Sequence, residues 1–161
     1  MFNLTTSTVI EAPINSVFDY MSTPENDFQW QYGTLATASI TNRRNQMGVY
    51  FRSIGHLMGQ RNLGTYEVIE SSANLKYRFK SISGPLHLQT TYAFKMVGDE
   101  TKVDISIRVG AVKFIHVKER ILGRRMKKQL KENLAVLKGI LEAGRIPSSP
   151  EPLPPVNQKM A

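Results

Sequence analysis

The chain has 161 residues, no cysteine and a formal net charge of +8. That length suits one domain with a real hydrophobic core, and the absence of thiols excludes a disulfide framework, cysteine nucleophiles and cysteine-ligated zinc. Met1 to Ala12 has neither the basic start nor the unbroken apolar run of a signal peptide, and no window reaches the roughly 18 apolar residues of a membrane span, so a cytoplasmic location is expected.

Phe2 to Glu11, rich in Thr and Val, reads as a strand that Pro13 ends. Asn15 suits the N-cap of a short helix whose apolar side is Val17, Phe18 and Met21. Thr23 before Pro24 suits the cap and first position of a second short helix, which carries Phe28 and Trp30 and is closed by Gly33. From Thr34 to Val112 the apolar period changes to two. Six strands are expected near Leu35–Thr41, Gly48–His56, Arg61–Ser71, Leu75–Ile82, Leu86–Val97 and Lys102–Val112. The connections between them are short and turn-like, among them Asn42–Asn45, Met58-Gly59 and Gly98-Asp99, and short connections force antiparallel neighbours. Val103, Ile105, Ile107 and Val109 alternate with polar residues, as do Leu75, Tyr77 and Phe79, and Leu86, Leu88, Tyr92, Phe94 and Met96. The sheet therefore has one apolar, aromatic face and one polar face.

The last element is a long helix, roughly Val117 to Ala143. Leu122, Met126, Leu130, Leu134, Leu137 and Leu141 recur at gaps of three and four, a stripe wide enough to cover a core. Gly123 falls within that stripe and marks either a close approach or a kink. Arg120, Arg124, Lys127, Lys128, Lys131 and Lys138 gather on a separate arc. Lys113 to Lys131 holds eight cationic residues against the single acid Glu119. A basic face of this kind is usually just solvated; its partner, if it has one, would be an anionic membrane surface meeting Arg120, Arg124, Lys127, Lys128 and Lys131, or an acidic protein. Nucleic acid ranks last, because no aromatic residue is interleaved to stack on bases and no helix-turn-helix or RNP-like pattern occurs.

A sheet with one apolar face and one amphipathic helix satisfy each other only by packing together. The expected fold is α+β, of helix-grip type: a seven-stranded curved antiparallel sheet, two short helices after strand 1, and a long C-terminal helix. Residues 1–143 form the single domain. Residues 144–161 hold five of the eight prolines and read as a disordered tail. A twisted sheet cannot press flat along a straight helix, so a gap lined mainly by apolar groups is expected between them, the usual form of a small-molecule site.

The segments IEAPINSVFDYMS with Trp30, MGVYFRSIGHLMGQRNLGTYEVIE, TTYAFKMVGDETKVDISI and RRMKKQLKENLAVLKGILE, in that order over about residues 5 to 143, resemble the polyketide cyclase/dehydrase and lipid-transport branch of the START-like (SRPBCC, helix-grip) superfamily. The resemblance implies the fold. For function it implies a range, since members include lipid and hormone carriers, aromatic polyketide cyclases and quinone-binding proteins, with no universal catalytic motif to carry across.

Chemistry is sparse. His56, His87 and His116 stand alone, so no metal site is expected, and no cofactor motif occurs. No GxSxG, P-loop or GxGxxG pattern supports hydrolysis or nucleotide binding. Glu67 and Glu70, three apart in a strand, should face opposite ways. The polar groups left on the apolar side are Tyr66, Tyr77 and Tyr92. With Trp30, Phe94, Met126 and Leu130 they make the expected ligand-binding set. The third strand can be read in either parity. If Tyr50, Arg52, Ile54 and His56 face inward, Arg52 and His56 are the catalytic candidates, stabilising an enolate and moving a proton; if they face outward, the cavity lacks that pair. Two functions follow: binding of an apolar or aromatic small molecule or lipid, as carrier or sensor, or a cyclase/dehydrase-type reaction on a hydrophobic substrate. The oligomeric state stays open, a homodimer included.

Overall fold

The structure, a computed structural model, describes residues 1–40, 49–57, 59–84, 87–110 and 118–143. The turn Asn42–Asn45, Met58, Leu86, Lys113, His116, Val117 and the proline-rich tail lie outside the described residues. In chain order the elements are β1 (Phe2–Ile10), α1 (Ile14–Met21), a 3-10 turn (Pro24–Asn26), α2 (Asp27–Trp30), β2 (Thr34–Ser39), β3 (Tyr50–Leu57), β4 (Gln60–Ser72), β5 (Lys76–Ser83), β6 (Leu88–Val97), β7 (Glu100–Val109) and α3 (Glu119–Ala143).

The strands form one antiparallel sheet in the order β1-β7-β6-β5-β4-β3-β2. Strands adjacent in sequence pair with one another from β2 to β7, while β1 pairs with β7 from the other end of the chain, from Phe2 opposite Val109 to Ile10 opposite Thr101. The period-two alternation sorts the side chains as expected. Val103, Ile105 and Val109 are fully buried, and so is Leu137 on the apolar stripe of α3. Leu130, Leu134 and Leu137 share one core with Trp30, Phe51, Tyr77, Tyr92 and Phe94. The basic arc, Arg120, Arg124, Lys127, Lys128 and Lys131, is exposed. A Cβ on Gly123 would meet the Phe2 ring at 3.5 Å, an ordinary contact, so the glycine marks where α3 lies over β1 without being required there.

Four local expectations need correction. The N-cap of α1 is Pro13 rather than Asn15, and Val17 N–H bonds back to Pro13 O. Leu75 belongs to the β4–β5 turn and is 60% exposed, and Met96, past Phe94 at the turn end of β6, is 62% exposed. Glu67 and Glu70 share a face, because the register of β4 against β5 slips between Val68 and Glu70. That bulge inserts one residue and restores both carboxylates to the outer side, where they pair with Lys80 at 3.7 Å and Arg78 at 3.1 Å.

Candidate functional site

Between the inner face of the sheet and the α2 and α3 helices lies a cavity of about 200 Å³. Its walls are aromatic: Trp30 from α2, Phe51 from β3, Tyr66 from β4, Phe79 from β5 and Tyr92 from β6, closed by Met126 and Leu130 of α3. The rings hold one another. Phe51 stacks on Tyr66 at 5.2 Å and meets Phe79 edge-on at 5.3 Å, while Trp30 meets Tyr92 edge-on at 6.1 Å. Such pairs add about 0.5–1.5 kcal/mol each beyond the area they bury and leave few rotamers free.

The parity of β3 is set by this cluster. Phe51 is 3% exposed, and with Ser53 and Gly55 it faces the cavity. Strand geometry then sends Arg52 to the outer face, where it is exposed opposite Thr65 of β4. His56, at the end of the strand, reaches only the rim and is exposed.

Among the described residues one carboxyl lies inside. Asp27 is 7% exposed and lines the cavity. It shares a face of α2 with Trp30, three residues on, while Phe28 and Gln29 point out. Burial holds its carboxyl well above the ordinary carboxylate range, and the nearby charge of Glu25 pushes the same way. The phenols of Tyr66, Tyr77 and Tyr92 are raised first by burial and then by the charge of Asp27, Tyr77 to well beyond the usual tyrosine range. Tyr92 also accepts a 3.4 Å hydrogen bond from Gln31 Nε2. Among the described residues, Trp30 Nε1, Asn62 Oδ1 and Tyr77 OH are buried without a hydrogen-bond partner. Unmet polar atoms around an apolar space mark places for a ligand or ordered water.

The mouth is pinned from α3. Asn133 Oδ1 accepts from Tyr32 N–H at 2.8 Å and Gln129 Nε2 donates to Tyr32 O. Here β2 and β3 approach more closely than side chains allow. His56 N–H bonds to Gly33 O at 2.6 Å, Gly33 has φ +91°, and a Cβ on Gly55 would lie 2.5 Å from Gly33 O. Gly55→Ala should therefore destabilise the domain by about 1–3 kcal/mol, as overpacking does, while Gly139→Ala, with open space around it, should not; urea unfolding of the two variants checks this.

No protein-family model and no curated protein matches the sequence. Solved structures do. A protein of Thermus thermophilus is 17% identical, with a TM-score of 0.78 over 90% of this chain and 100% of that one. A START superfamily protein from Mycobacterium smegmatis is 16% identical, with a TM-score of 0.76 over 88% of this chain and 97% of that one. The chain has the START-like, helix-grip fold. The same fold appears in the di-domain ARO/CYC BexL of the BE-7585A biosynthetic pathway, 16% identical with a TM-score of 0.68 over 86% of this chain and 46% of that one.

Within this START-like frame, Trp30, Tyr66, Tyr92, Met126 and Leu130 line the cavity, whereas Tyr77 and Phe94 lie behind its wall in the core. The inward arrangement of Arg52 and His56, on which an enolate-stabilising pair depended, is not the one observed; packing of Phe51 against Tyr66 and Phe79 decides the opposite parity. Sequence reasoning missed Asp27, Phe51, Phe79 and Asn62 as lining residues. The signal for Asp27 was available in DFQW: an acid three residues before the one tryptophan shares its helical face. Among the described residues no three histidine or acidic side chains gather as a metal site would require, and no helix is long and apolar enough to cross a membrane.

Proposed function

We propose that the protein binds a compact apolar or aromatic small molecule in the cavity between sheet and α3, as a carrier or sensor. The observation that carries this reading is the aromatic-walled space of about 200 Å³ with unpartnered polar atoms at its edge. Drug-sized sites run to about 300–1,000 Å³, so the size favours one or two rings over a long-chain lipid. Burying about 200 Å² of such a ligand contributes about 5 kcal/mol at roughly 25 cal/mol per Å², which leaves orientation and much of the selectivity to the polar groups. What supports binding over a cyclase-type reaction is the outward position of Arg52 and the rim position of His56. The exposed basic arc of α3 runs along the helix that closes the cavity, and we read it as the surface that meets anionic lipid or an acidic partner.

Trp30 is the single tryptophan of the chain, so its emission reports the cavity alone. Titration with n-butylbenzene should change that emission saturably. Ser53→Phe, which places a ring in the cavity, should weaken binding at least about tenfold. An emission that stays constant up to the solubility limit of the probe would sink the reading, and so would unchanged affinity in a folded Ser53→Phe variant.

A further inference from the structure

The cavity holds an acceptor and two donors that do not meet. Asp27 is buried and lines the space, and its carboxyl takes part in no hydrogen bond among the described residues. Two phenols stand nearby: Tyr66 on β4 and Tyr92 on β6 line the same space, and the charge of Asp27 acts on both. Neither hydroxyl bonds to that carboxyl. Tyr66 OH has no hydrogen-bond partner among the described residues, and Tyr92 OH accepts from Gln31 Nε2 at 3.4 Å while its own proton finds no acceptor there.

These three groups select what can lie between them. A hydrocarbon satisfies none, and each then stays desolvated without a partner. A carbonyl takes a phenol proton and offers nothing to Asp27, whereas an ammonium gives a proton to Asp27 and offers nothing to the phenols. A hydroxyl does both at once, because its one oxygen donates and accepts. A carboxyl accepts whether or not it is ionised, so the pattern does not depend on the charge of Asp27 or of any neighbour.

The rest of the wall sets the rest of the molecule. Trp30, Phe51 and Phe79 present rings to a space of about 200 Å³, and rings pack best against another ring. Resting on the reading of the cavity as a ligand site, we propose that its ligand is a compact neutral phenol of one or two rings, whose hydroxyl donates to the Asp27 carboxyl and accepts from a tyrosine hydroxyl, Tyr66 or Tyr92. Asp27 then acts as the specificity-determining residue: it distinguishes a hydroxylated ring from the bare hydrocarbon of the same shape.

The test sets para-ethylphenol against its methyl isostere para-ethyltoluene, by isothermal titration calorimetry on the full chain at about pH 7, where both are uncharged. Each association constant is divided by the probe's own water-to-alkane partition coefficient, which removes the difference in their hydrophobicity. The corrected ratio should favour the phenol at least about tenfold in the unaltered protein. Asp27→Leu matches the carboxyl in shape and forms no hydrogen bond, so there the corrected preference should drop about tenfold; Asp27→Ala carries the same expectation should the leucine variant not fold. A corrected ratio near one in the unaltered protein overturns the phenol proposal and leaves a ligand cavity standing. A preference undiminished in the folded variant overturns the role of Asp27. Binding of neither probe overturns the ligand cavity as well.

Discussion

Asp27→Asn is expected to raise the melting temperature of the free protein by about 2–8 °C near neutral pH, and to change it little near about pH 4. The carboxyl is buried with no cation beside it among the described residues, and burial and Glu25 both raise its pKa. The folded state therefore holds the proton more tightly than the unfolded chain. Between the ordinary value of 3.8 and the raised one, the folded form binds more protons, so stability falls as pH rises through that window. Below it the protonated group contributes its full share; above it the folded protein carries a buried charge. The amide keeps the shape and removes the charge, for about 1–2 kcal/mol, and about 1 kcal/mol moves the midpoint by about 2–4 °C in a chain of this size. Thermal unfolding of both proteins from about pH 4 to about pH 8 measures it. A variant that melts lower at neutral pH would mean that the carboxylate is held by bonds of its own. A residue that weakens the free fold while serving a ligand is the familiar trade between stability and function.

Leu137→Ala should cost about 2–5 kcal/mol, the range for emptying a fully packed leucine site. Leu137 is wholly buried in the cluster that joins α3 to the sheet, with Leu134 one turn before it and Ile140 half-buried one turn after. The neighbouring Val136, 48% exposed, faces away, and its change to Ala should stay within about 0.5 kcal/mol. Urea unfolding distinguishes them: a midpoint shift at Leu137 no larger than at Val136 would contradict the placement of the apolar stripe. Because Met126 and Leu130 of the same stripe line the cavity, loosening α3 should also weaken binding.

The helix stripe and the strand alternations were legible because burial imposes their periods directly on residue type. Strand parity was legible where both faces differ sharply, as in Val103 to Val109. It was not legible in β3, where Tyr50, Arg52, Ile54 and His56 compete with Val49, Phe51, Ser53 and Gly55, and only the stacking of Phe51 on Tyr66 of another strand decides. The bulge that puts Glu67 and Glu70 on one face arises from pairing with β5, which no local pattern encodes. The site was read through its tyrosines and tryptophan, whereas Asp27 was passed over because an acid in a short helix is ordinarily exposed. What makes it unusual is the sheet that arrives from residues far downstream.

The pairing of β1 with β7 has a kinetic meaning. The first strand finds its neighbour about a hundred residues later, and α3 then fastens over it: Lys138 Nζ reaches Val9 O at 2.7 Å and Glu142 accepts from Glu11 N–H at 2.8 Å. The meander from β2 to β7 can assemble by local steps, but one edge of its sheet and its apolar face stay uncovered until both chain ends arrive. Folding should therefore fall in the slower range of milliseconds to seconds typical of non-local topologies. On the ribosome the exposed meander must wait for α3 to emerge, and in that interval the chain is most open to aggregation or to a chaperone.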